Sequence, residues 1–309
     1  MNRKEVLESI ALKKKFCKDC GIPISVYDNP YFYQRLQILD PIYNGIKKFM
    51  MFCSELEQFE NEQEYFAYYN QVKDSVIDSI KSKDAYLKFI QGTYEVHTVY
   101  DKRNLYVEDN NEKAFISIDM KKANFSALNH YSDDIFDHCN CWEEFISRFT
   151  NNNHIISSKY IRQVIMGACN PGKQIQYERF LMSKLLNHIV ESLPMAKVFS
   201  LGDDEIILSV GNGCGFSFNE LKRVILDCHD QIGRLVTAKV FNLEKINGTN
   251  GWAKFYGDCS VEFKCLDADT IHQVVKHYYG EPITKDDLVF THNGKLATYL
   301  EGIDNPWKE

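Results

Sequence analysis

Two apolar stretches of this chain each run into carboxylates, and the acids lie roughly eighty residues apart. The first, FISIDMKKANFSAL, brings Asp119 to the end of Phe115-Ile116-Ser117-Ile118. The second, VFSLGDDEIILSV, sets Asp203 and Asp204 in a Gly-Asp-Asp turn between two strand-like runs. A carboxylate at one strand end and a pair at the tip of an adjacent hairpin can meet in space. Such a cluster can hold two Mg²⁺ or Mn²⁺ ions roughly 3.5–4 Å apart, the arrangement used for in-line phosphoryl displacement. Mg²⁺ takes one or two carboxylates plus substrate phosphates, so few acids suffice. Asp119 and Asp203 are the expected shared ligands. Neighbouring hairpin residues point to opposite faces, so Asp204 is expected to tune the metals or hold the turn, and Glu205 to point outward.

The elements that must position these acids fall into an α+β pattern. Residues 1–92 read as a helical N-terminal region, with helices over 3–16, 30–53 (one or two) and two more within 60–90. Gly21 and Pro23 end the first, and Asp28-Asn29-Pro30 opens the next. From residue 93 the apolar period changes from 3.6 to 2. Strands are expected at 93–100, 105–108 and 114–119, then a helix at 132–150 and an extended run at 160–166. A long helix follows over 172–192, the strand–turn–strand over 197–210, a helix at 217–229 and a strand at 234–243. The catalytic domain is thus expected over 93–265. A small α/β extension occupies 266–309, with a helix at 267–279 and a hairpin near 287–300. Strands and helices alternate without the period of a parallel barrel, which points to an antiparallel sheet backed by helices.

Composition sets outer bounds. The 309 residues are 44% hydrophobic and 26% charged, ordinary for a globular protein with a sizeable core. No apolar run reaches membrane-span length, and the first twenty residues are too charged for a signal peptide, so a soluble, cytoplasmic protein is expected, with no membrane partner. Ten cysteines in such a chain read as reduced thiols. Cys17 and Cys20, with Cys53 as a further ligand, and Cys139 and Cys141 with His138, are weak zinc candidates that read more simply as core thiols. The net charge of −7 disfavours nonspecific duplex binding but leaves room for a local basic channel.

Taken together, these residues resemble the palm domain of reverse transcriptases and RNA-dependent RNA polymerases. Asp119-Met120-Lys121-Lys122-Ala123-Asn124-Phe125 is similar to motif A, and Gly167-Ala168-Cys169-Asn170-Pro171, leading into a helix, to motif B. Leu201-Gly202-Asp203-Asp204 is similar to motif C, and the strand carrying Lys239 stands where motif D would. Gly251 to Asp258 loosely matches a primer-gripping hairpin. The resemblance covers roughly residues 93–265. It departs from reverse transcriptases at Leu201-Gly202, where an aromatic and a small residue normally stand, and shows no clear fingers or thumb.

The resemblance implies an antiparallel, ferredoxin- or RRM-like sheet and a template-dependent nucleotidyltransferase. Its partners would be a nucleic-acid template and primer and nucleoside triphosphates, with other protein subunits as further candidates. The Met120 carbonyl would complete the metal sphere, and Lys239 would protonate the leaving pyrophosphate. Lys121, Lys122, Lys173 and Arg179 would contact phosphates near the Gly167 loop. Asn124, with Asn170, would bear on the sugar, a short polar side chain there favouring ribonucleotides; otherwise Asn124 caps the following helix. Two alternatives stay open. Leu201 to Glu205 also resembles the turn of diguanylate cyclases and CRISPR-associated palm proteins, although the gap from Asp119 is long for a cyclase. The third is an inactive palm serving as a binding or assembly subunit.

Overall fold

The computed structural model describes residues 1–211 and 215–299. Thirteen helices and eight strands are formed among them, in an α+β arrangement. The N-terminal region is helical: α1 (Arg3–Glu8), α2 (Ile10–Cys20), α3 (Tyr31–Tyr43), α4 (Gly45–Leu56), α5 (Glu62–Lys81) and α6 (Asp84–Gln91). Where one helix was expected over 3–16 there are two. Ser9 leaves the helical conformation and its hydroxyl accepts from the Leu12 N–H, so it starts α2 instead of continuing α1. Gly21, at φ 64°, closes α2 in the left-handed region that glycine adopts without steric cost.

Residues 93–107 form no strand, contrary to the period-2 reading. Val99 is 90% exposed, so the alternation has no sheet face to satisfy. The segment runs beside a sheet edge, tied by the Arg103 N–H to Ser200 Oγ (2.8 Å) and by the Leu201 N–H to the Asp101 carbonyl (3.1 Å).

Strand β1 (Lys113–Met120) follows, then α7 (Ala123–Tyr131), a 3-10 turn at Asp133–Phe136, α8 (Trp142–Ile146) and α9 (Asn153–Ser157). The single helix expected over 132–150 is broken because Asp137 and His138 both take positive φ. The stretch 160–166 is helical, not extended. It belongs to α10 (Lys159–Gly167), capped by Ser158, and its buried Ile161, Arg162, Ile165 and Met166 fall at helical spacing. α11 (Pro171–Ser192) starts with Asn170 as cap and Pro171 at the first turn. Then come β2 (Lys197–Leu201), β3 (Glu205–Val210), α12 (Phe218–Leu226), β4 (Val236–Lys245), β5 (Trp252–Tyr256), β6 (Val261–Lys264), α13 (Ile271–Tyr278) and a hairpin of β7 (Val289–His292) and β8 (Lys295–Thr298). The hairpin expected near 287–300 thus forms up to residue 298; its last expected residue, like the rest of the 300–309 tail, lies outside the described residues.

Six strands make one antiparallel sheet in the order β2-β3-β1-β4-β5-β6. Its first four strands have the spatial order of a ferredoxin-like β-α-β-β-α-β unit, with β1 central. One face is covered: Ile116, Ile118 and Met120 of β1 share a core with Leu181, Leu185 and Ile189 of α11 and Leu221 and Ile225 of α12. The same core continues through Phe16, Phe49 and Phe52 of the N-terminal helices. Each such side chain contributes about 1.5–3 kcal/mol by leaving water. The opposite face carries a second, smaller cluster of Leu105, Phe115, Ile207, Phe241, Leu243 and Trp252. That cluster covers only one end of the sheet. The end bearing Asp119 stays open.

Candidate functional site

Strand parity decides which residues share the open face. On β1, Ile116, Ile118 and Met120 turn inward, which leaves Phe115, Ser117 and Asp119 outward. The register sets Asp119 opposite Glu205 of β3 and opposite Thr237 of β4, and Ser117 opposite Lys239. The β2–β3 turn folds against the end of β1: the Met120 N–H donates to the Asp204 carbonyl (2.9 Å), and the Gly202 N–H to the Glu205 carbonyl (2.7 Å). Asp119, Met120, Asp203, Asp204 and Glu205 therefore occupy one corner of the sheet, with Asp203 at the hairpin tip. The two apolar runs thus end at the same corner, where the turn acid that bears on Asp119 is Asp204. Glu205 points outward as expected, on the same face as Asp119, and there it accepts from Ser117 Oγ (2.5 Å) and lies 3.8 Å from Lys254 Nζ.

The acids feel one another. Asp119 keeps an edge in solvent, yet enclosure by the site, then Asp204 and Glu205, push its carboxyl up to about 6. Behind the hairpin, Glu178 of α11 is 7% exposed, and burial followed by Asp204 and Asp203 raises it to about 7. Lys102 Nζ stands 3.8 Å from Asp203. Like charges held together at a water-facing corner favour a divalent cation, and an all-oxygen, anionic donor set fits Mg²⁺ or Mn²⁺. Asp119, Asp203 and Asp204 do not close on one point. Among the described residues, the three-ligand group with ligand atoms all within 4.8 Å of one another is Asp133, Asp134 and His138, exposed and elsewhere. The open corner suits an ion that takes its remaining ligands from substrate.

Beside the acids lies a cavity of about 420 Å³, lined by Lys159 of α10, Lys239 of β4, Lys254 of β5 and Lys264 of β6. Lys254 is 5% exposed, and burial lowers its pKa against the pull of Glu205 and Glu262. Glu262, although burial pushes it up, is held below the usual range by Lys264, Tyr256 and Lys254. Tyr256 donates to Glu262 Oε2 (2.9 Å), and Lys239 Nζ stands 5.0 Å from the centre of the Tyr256 ring.

No protein-family model matches the chain, nor does any curated protein or solved structure.

The other expected site residues are dispersed. Lys121 hydrogen-bonds the Arg234 carbonyl (3.3 Å) and lines a separate cavity with His130 and Asp133. Lys122, left-handed at φ 47°, pairs with Glu143. Lys173 donates to the Gly92 carbonyl (2.6 Å), and Arg179 lies 3.9 Å from Asp101. Asn170 takes φ 55° and its Oδ1 accepts from the Lys173 N–H (3.3 Å), so it is a helix cap. Gly167 ends α10, and Gln174 Nε2 holds the following loop by donating to the Met166 and Cys169 carbonyls. Asn124 is half-buried in the first turn of α7; the cap position is Lys122, so Asn124 does not cap. Cys17, Cys53 and Cys139 are buried thiols raised by burial, while Cys141 is exposed and His138 contacts Asp133 and Asp134 instead of cysteine.

Sequence reasoning missed Glu178 and Lys254. Both carried a signal: each is a charged residue in phase with covered neighbours, Glu178 between the buried Gln174 and Leu181, Lys254 between the buried Trp252 and the half-buried Tyr256.

Proposed function

We propose that this chain is a palm-type nucleotidyltransferase that extends a nucleic-acid strand from nucleoside triphosphates. The observation that carries the reading is the meeting of Asp119 with the Asp203-Asp204 turn at an open corner of a ferredoxin-like sheet, beside a lysine-lined cavity. Asp119 and Asp203, with the Met120 carbonyl, would hold Mg²⁺ or Mn²⁺. Bound there, the ions would acidify a primer 3′-hydroxyl and neutralise the triphosphate.

The protein's own groups supply the rest. Lys254 and Lys264 sit fixed among carboxylates and present positive charge to the phosphates. Lys239 is exposed and lines the cavity; it would give its proton to the departing pyrophosphate as the O3′–Pα bond forms, the 3′-hydroxyl proton passing to water, and the Pα–O bond breaks. Glu205, anchored by Ser117 and Lys254, keeps the hairpin in register with β1. Asn124 is the residue whose side chain would meet the ribose, tilting the choice toward ribonucleotides.

The test is incorporation of labelled NTPs or dNTPs with Mg²⁺ or Mn²⁺ on primed and unprimed RNA and DNA. Asp119→Ala and Asp203→Ala should each lose more than about a hundredfold of the metal-dependent activity while staying folded. Near-normal incorporation by either folded variant sinks the proposal. Short cyclic products would favour cyclisation over strand extension.

A further inference from the structure

The first half of α2 carries a run of lysines that the catalytic reading does not use. Lys14 and Lys18 are exposed and one helical turn apart, and Lys15 lies between them. They border a groove of about 680 Å³ whose walls are Tyr27 and Phe66 and whose end is open at Gly21, where no atom lies within 4 Å of an added Cβ. Lys15 is committed to the buried Asp19 (2.6 Å), and burial lowers its pKa to about 8 against the pull of Asp19. The ammonium groups of Lys14 and Lys18 make no ion pair among the described residues. They stand over rings instead, Lys14 5.5 Å from the centre of Tyr27 and Lys18 4.4 Å from that of Tyr160.

Tyr160 ties this groove to the acidic corner. It is the second residue of α10, whose first residue, Lys159, lines the cavity beside Asp119. One helix end therefore presents a lysine to the cleft and an aromatic ring to the α2 lysines.

We infer that the α2 groove binds single-stranded nucleic acid and leads it past the N-terminus of α10 toward the cleft. Unpaired ammonium groups at one-turn spacing meet phosphates, while half-exposed aromatic rings offer sequence-tolerant stacking to bases. The link to the cleft rests on the nucleotidyltransferase reading; the binding itself does not.

The experiment measures fluorescence anisotropy of a labelled single-stranded oligonucleotide, RNA and DNA, across a salt series with the full chain. Lys14→Glu with Lys18→Glu should weaken binding at least tenfold and flatten the log–log salt slope by about 1–1.5. Lys14→Gln with Lys18→Gln, which leaves the groove's shape, should shift in the same direction. Lys88→Glu with Lys222→Glu, an equal charge change at exposed sites elsewhere, should bind as wild type does. Groove reversals that bind within twofold of wild type, or a control that loses as much, overturn the inference. So does tripolyphosphate that displaces the oligonucleotide as well, charge for charge, as unlabelled strand does, since the groove would then be a small-polyanion site. If no protein incorporates nucleotide while the groove variants behave as expected, the catalytic reading falls and the groove stands.

Discussion

A carboxyl that is buried beside other acids stores a pH dependence, and Glu178 is the clearest case. Its proton is bound more tightly in the folded chain than in the unfolded one, so folding stability falls as pH rises from the ordinary glutamate range to about 7. Glu178→Gln removes that penalty. In metal-free buffer at pH 8 the variant should melt higher than wild type, by on the order of 2 kcal/mol, and the gain should vanish near pH 4.5. A variant no more stable than wild type at pH 8 would show that neither burial nor the charges of Asp204 and Asp203 press on this carboxyl. Asp119 acts in the same sense up to about 6, muted by its solvent-facing edge. The acids at the strand end and turn were legible as residues. Their partners were not, because the neighbours of Glu178 and Lys254 come from segments far away in the chain.

At the scale of elements, the loop between α10 and α11 separates two explanations for Asn170. As a cap in the left-handed region it should tolerate glycine, whereas alanine loses the bond to the Lys173 N–H and meets strain at φ 55°. Asn170→Ala should therefore destabilise by about 1–2 kcal/mol, and Asn170→Gly by a few tenths, with nucleotide use unchanged in the folded fraction. Equal losses of activity in both, with stability intact, would restore a sugar-contacting role. A second element argument concerns Gly233. A Cβ there would lie 1.8 Å from the Ile225 carbonyl oxygen, so Gly233→Ala must push the turn before β4 off the end of α12. A denaturant midpoint like that of wild type would contradict this packing. Strands with one buried face were read well, and so were long capped helices. Of the misread elements, 3–16 and 132–150 are helices interrupted by local backbone, at Ser9 and at Asp137-His138, while 93–107 and 160–166 have apolar spacings short enough to fit either period, and only the neighbour that covers them chooses.

Across the whole molecule, residues 25–35 are packed against residues 269–289. Arg35 of α3 is 2% exposed and donates to the Val289 carbonyl and to Ser25 Oγ (3.2 Å), while Ser25 also reaches Asp269. Lys276 and Asp287 form a buried pair at 2.7 Å close by. Arg35→Met strips the Val289 carbonyl of its donor and should cost about 1–3 kcal/mol. Hydrogen exchange should then quicken in β7 and β8 before it quickens in β1. Uniform loss of protection throughout the chain would mean that Arg35 supports the common core and not this closure.

The sequence alone determined the local physics: which stretches are amphipathic, where Gly21 stops one helix and Asp28-Asn29-Pro30 opens the next, and that Asp119 and Asp203 end apolar strands. Those properties depend on residues within a turn or two of one another. The tertiary structure decided the rest: that β1 lies between β3 and β4, that Glu205 faces Asp119, that Lys121, Lys122 and Lys173 turn away to other partners, and that Lys254 stands among acids. These depend on register between distant strands and on burial of one sheet face, where shifting a strand by one residue would turn Asp119 from the open corner into the core.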